Sequence, residues 1–245
     1  GKLGDMIQRN VQLTELTLRL HHISASAPCA FYDGLAKSIH IQKLQIGTRY
    51  RWNAEEILPK LIAGNDGNGV VERLLRNPQS QLVELDISKT RLEDHHLIAL
   101  VQSLFTSKVK ELNFSSNNIR SRGLLEFIRQ IPKMKSLQKI SFAYNPWEKD
   151  SDLEECGTAL LHGLRENTSI TFVNRLCAFP QYELLWRLLG VNFIRQKLFL
   201  FLPQSGEESP IPMGLWPLIL ANTQLADAVY FVLQNCPAIF SCCKE

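Results

Sequence analysis

Apolar residues return along this chain in a fixed phase. From Val109 to Ile119 they occupy the first, fourth, sixth and eleventh places (Val109, Leu112, Phe114, Ile119), with Asn117 at the ninth. Places four and six lie two residues apart, so a short strand points both inward. An asparagine at place nine can bond the backbone of neighbouring coils as the chain turns away. One such unit cannot bury its own apolar edge, so the pattern has meaning only if it recurs. It does: Leu13, Leu16, Leu18 and Ile23 form a first copy, with His21 in the asparagine place. Ile41, Leu44 and Ile46 form a second, with Arg49 there, and Leu82, Leu85, Ile87 and Leu92 a third, with Thr90. Leu137, Ile140, Phe142, Asn145 and Trp147 form a fifth, and Ile170 and Val173 begin a degenerate sixth.

The step is 28 residues from Leu16 to Leu44, 27 from Leu85 to Leu112 and 28 from Leu112 to Ile140. From Leu44 to Leu85 it is 41, one repeat plus an insert, and the Gly64–Gly69 run of glycine, asparagine and aspartate is its natural place. A repeat of this length leaves room for a helix after each strand. Leu97, Leu100, Val101 and Leu104, then Leu124, Phe127, Ile128 and Ile131, have helical spacing. The expected fold is therefore α/β: a leucine-rich repeat solenoid of strand–helix coils, with a parallel concave sheet and convex helices. It resembles the ribonuclease-inhibitor-like repeat class, whose members are mostly intracellular.

Two domains are expected, a solenoid over residues 1–178 and a mostly helical C-terminal module over 179–245 packed on the last repeat as its cap. Met6–Asn10 ahead of Leu13 parallels Arg73–Asn77 ahead of Leu82, both reading as the tail of a helix. The chain is thus expected to start inside a truncated repeat, in a trimmed chain or a longer native protein; a short capping helix is the alternative. After Thr171 the pattern fades into crowded apolar residues over Tyr182–Leu202. Gly214–Leu220, Ala226–Leu233 and Pro237–Phe240 resemble the helical C-terminal module of diatom leucine-rich repeat proteins. The Leu200–Gly206 stretch departs from that family's more polar run. The resemblance implies an interaction role and brings no catalytic residues.

The net charge of +3, from 27 basic and 24 acidic residues, gives no electrostatic case for nucleic acid. Six cysteines without a Cys-x-x-Cys pair or a framework at either end point to a reducing compartment. With no signal-peptide character at the start, the expected location is intracellular: cytoplasm or nucleus, or an organelle if an N-terminal address was removed. The longest apolar runs are too short to cross a bilayer. No nucleophile elbow, His-Glu-x-x-His or phosphate loop is present in the sequence, so no enzyme, metal or cofactor is expected.

Alternation places Glu15, Thr17, Lys43, Gln45, Glu84, Asp86, Glu111, Asn113, Lys139 and Ser141 on the concave face, a polar row of mixed sign. Interaction surfaces more often cluster aromatics or one charge. The candidate surface is therefore the rim beyond the strands, Arg49, Tyr50, Arg51, Trp52, Arg91, Arg120, Arg122 and Tyr144, with Trp147 and Trp216. The expected function is a non-catalytic protein–protein interaction scaffold or adaptor, as a peripheral subunit of a larger assembly. The alternative is nucleic-acid or phosphate binding through the same basic, aromatic rim.

Overall fold

A computed structural model describes residues 2–19, 29–47, 62–63, 69–149 and 152–199. Among the described residues, six strands form one parallel sheet in chain order: β1 (Glu15–Arg19), β2 (Lys43–Gly47), β3 (Glu84–Asp86), β4 (Glu111–Asn113), β5 (Lys139–Ser141) and β6 (Phe172–Val173). The register is that of the repeat. Leu16 pairs with Leu44, Leu44 with Leu85, Leu85 with Leu112, Leu112 with Ile140 and Ile140 with Val173. A leucine-rich repeat solenoid is therefore the fold.

The connecting helices are α1 (Lys2–Arg9), α2 (Cys29–Ala36), α3 (Val70–Arg76), α4 (Asp94–Leu104), α5 (Ser121–Gln130), α6 (Leu153–Glu166) and α7 (Tyr182–Phe199). Each packs on the next in chain order. The inward faces read from helical spacing are buried: Leu97, Leu100, Val101 and Leu104 on α4, and Leu124, Phe127 and Ile128 on α5. Together with the inward strand residues they form one apolar cluster running from Ile7 to Leu189. At the α1–α2 contact the helices touch backbone to backbone. A Cβ on Gly34 would meet the Gly4 carbonyl oxygen at 2.2 Å, so no larger residue fits there.

The turns after the strands explain the ninth place. Asn117 donates its amide to Phe114 O (2.9 Å) and Ile87 O (3.0 Å), and its Oδ1 accepts from the backbone N–H of Thr90 and Leu92. Asn145 repeats this one coil later, donating to Phe142 O and Phe114 O and accepting from the N–H of Asn117 and Ile119. Thr90 fills the same place with a shorter side chain, its hydroxyl donating to Ile87 O at 2.7 Å. The residue before each of these three is left-handed: Lys89 (φ 58), Ser116 (φ 58) and Tyr144 (φ 59). The asparagines thus satisfy backbone groups that the turn takes out of the ladder and away from water.

The last coil closes differently. Two residues after Val173, where Phe114 and Phe142 point inward in earlier coils, Arg175 is left-handed (φ 62) and exposed. The chain leaves the sheet there, and Phe179 enters the core. Its ring stacks on Trp147 at 5.2 Å with 8° between planes. α7 then lies on α6. The buried Asn192 amide donates to Leu164 O and Ile170 O, both at 3.1 Å, satisfying one carbonyl in the last turn of α6 and one in the segment that leads to β6. The expected continuation of the helical module beyond residue 199 lies outside the described residues.

Candidate functional site

Two surfaces carry the polar side chains that the coils present. The first is the concave face, a shallow hollow of about 420 Å³ lined by the alternating row that the sequence predicts. Parallel register sets the charges side by side, and they pair among themselves. The Lys43 ammonium stands 3.5 Å from Glu15 and 3.2 Å from Glu84, which together raise its pKa, Glu84 the more strongly. Lys139 pairs with Glu111. Gln45 donates to Asp86 Oδ2 at 3.2 Å, and Asp86 Oδ1 accepts the Ser88 N–H. Phe172 ends the row, partly exposed.

The second surface is the rim. Arg91, Arg120, Arg122 and Tyr144 are all exposed there. The structure brings Arg120 and Arg122 together in one groove of about 650 Å³ between the starts of α4 and α5, with Glu93, Asp94, His95, Ile98, Asn118 and Pro146. Arg91 and Tyr144 lie outside its lining. Tyr144 instead sits beneath the Arg175 guanidinium, 5.5 Å from the ring centre, a cation–π pair.

Local chemistry explains the groove's shape. Glu93 and His96 form a capping box at the start of α4, in which the Glu93 N–H donates to His96 Nδ1 at 3.2 Å. Asp94 caps the next helix across the coils, its Oδ1 accepting the Arg120 N–H at 2.7 Å. Gly123 makes room for that contact, since a Cβ there would lie 2.4 Å from Asp94 Oδ1. Glu93 and Asp94 are therefore each tied to a helix terminus. Nothing in the repeat spacing announces a groove. The signal available was that one coil's acidic helix start lies beside the next coil's basic one.

Trp147 corrects an expectation. It is not a surface residue: it is wholly buried, its Nε1–H donating to Phe142 O at 3.1 Å. Its phase gives the reason, because it holds the eleventh place, as buried Leu92 and Ile119 do. Arg49, Tyr50, Arg51, Trp52 and Trp216 lie outside the described residues. The structure shows one further apolar surface. Tyr182, Trp186 and Phe193 on α7 are about half exposed, and their spacing sets them on one side of the helix.

No family model matches the chain, and no curated protein does. Among solved structures it is similar to leiomodin-1 actin-binding site 2, at 15% identity over 81% of this chain and 92% of that one, with a TM-score of 0.49. It is also similar to the tropomodulin C-terminal domain of Caenorhabditis elegans, at 14% identity over 81% and 96%, with a TM-score of 0.47. Likenesses this distant do not say what this chain binds. The expected kinship with ribonuclease-inhibitor-like repeats and with diatom proteins does not stand, since neither comparison of sequences supports it and the similar structures are of another kind. The segments that suggested the diatom kinship are short apolar patterns, which any buried helix supplies.

Proposed function

We propose that this chain is a non-catalytic protein-binding scaffold that works through its rim and α7 and not through its concave strands. The observation that carries this reading is the single apolar cluster from Ile7 to Leu189. It holds every coil against its neighbours, so the rim and α7 are presented as one stiff surface at fixed spacing. A role as a peripheral subunit of a larger assembly fits a surface of that kind. An intracellular setting is in keeping with the exposed Cys177, a free thiol.

Affinity capture of the chain with cross-linking tests the reading. Partner proteins retained at physiological salt, with cross-links on the rim or α7, are the expected result. A folded chain that retains no protein, or that binds nucleic acid with a steep salt dependence instead, would overturn it.

A further inference from the structure

The rim groove differs from the rest of the polar surface in what its charges touch. Its carboxylates are engaged within the chain: Glu93 closes the cap of α4 and stands 3.7 Å from His95 Nδ1, and Asp94 holds the Arg120 N–H. Arg120 and Arg122 are exposed, and among the described residues no carboxylate lies within ion-pairing distance of either guanidinium. They also stand at the start of α5, whose first turn holds no acidic residue. Cations are disfavoured at that end of a helix dipole, and two neighbouring guanidiniums repel each other. Asp94 on the Arg120 N–H and Asp152, which accepts from the Ser121 hydroxyl at 3.1 Å, offset the dipole, but among the described residues neither guanidinium has a carboxylate of its own, and an anion docking on them supplies one. The groove also has apolar surface, because Ile98 is 41% exposed and Pro146 lies beside it.

We propose that this groove docks an acidic peptide segment of a protein partner, with its carboxylates on Arg120 and Arg122 and an aliphatic side chain on Ile98 and Pro146. The proposal rests on the scaffold reading above and names the partner's chemistry. Guanidinium matches carboxylate in a two-bond fork, which favours this ligand over a diffuse negative charge. A nucleic-acid backbone fits less well, since Glu93 and Asp94 line the same groove and repel an evenly charged polyanion. A peptide spaces its carboxylates and can offer backbone N–H groups to those acids.

The test uses the full chain and a fluorescein-labelled peptide of glutamates interrupted by leucine, read by anisotropy. A glutamine-for-glutamate peptide and a single-stranded oligonucleotide of equal charge serve as controls. The glutamate peptide is expected to bind and the glutamine peptide not. Binding should weaken about tenfold or more in the Arg120→Glu/Arg122→Glu variant and stay unchanged in Lys139→Glu on the concave face. Arg120→Lys/Arg122→Lys, which keeps charge but loses the fork, should fall between. Should the reversal unfold the chain, Arg120→Gln/Arg122→Gln is read in its place. Equal binding by wild type and reversal, or tighter binding of the oligonucleotide, overturns the proposal. If the peptide fails while capture still finds a partner cross-linked elsewhere, the groove assignment falls and the scaffold reading stands.

Discussion

On the concave face Lys43 stands between Glu15 and Glu84, Lys139 meets Glu111, and Asp86 is held by Gln45 and Ser88. On the rim, one turn further along the same coils, Arg120 and Arg122 meet no such partners among the described residues, while the acids beside them stand at helix starts. The two surfaces have similar composition, both polar and mixed in sign. What separates them is whether register has already matched each charge. Parallel strands in strict register bring side chains of successive coils within reach, so a row of alternating sign neutralises itself. Turns carry no such constraint, and a charge there can be left for another molecule.

The comparison becomes quantitative when the polar groups of each region are removed. The largest effect is expected where satisfaction is complete and buried. Asn117→Ala leaves the buried Thr90 and Leu92 N–H groups without their acceptor and takes one of two donors from the Ile87 carbonyl, and should cost about 3 kcal/mol in urea denaturation. A cost near that of an ordinary surface substitution would mean the asparagine ladder is not what holds the turns.

Glu72 comes next. It is buried on α3 and paired with Arg76, yet desolvation outweighs that pairing and raises its pKa above the usual carboxylate value of 4.5. A carboxyl whose folded pKa lies above its unfolded one binds more protons when folded. Stability therefore falls as pH rises from about 4.5 through the folded value. Glu72→Gln should flatten that slope, and a slope unchanged in the variant would move its origin elsewhere.

Smaller still, Lys139→Met removes an exposed pair and should change stability by less than about 1 kcal/mol. The smallest effect is expected on the rim. Arg120→Glu/Arg122→Glu should change stability by only a few tenths of a kcal/mol, roughly, because the better fit of acids to the start of α5 is set against their repulsion by Asp94 and Asp152 already there. A thermal melt showing marked destabilisation would reveal that the arginines serve the fold and not a partner.

The repeat itself was legible in sequence. Leu16, Leu44, Leu85, Leu112, Ile140 and Val173 pair in the register their spacing implies, and Thr90 and Asn117 stand where the ninth place requires. Periodicity is a property of the core, and each copy confirms the others. Trp147 was legible too, since its phase already made it a core residue. Arg175 and Phe179 were not. There the chain departs from the period, and only coordinates show a left-handed turn that lets Phe179 stack on Trp147. The groove was half legible: the arginines stood out, but their freedom depends on where Asp94 and Glu93 point, which spacing does not encode.

Hydrogen exchange of the full chain, alone and with a captured partner, tests the central claim most directly. The account predicts slowed exchange at the starts of α4 and α5, around residues 93–98 and 118–123, with the amides of β2 to β5 unchanged. Slowing confined to those strands, with the helix starts unaffected, would place the working surface on the concave face and contradict it.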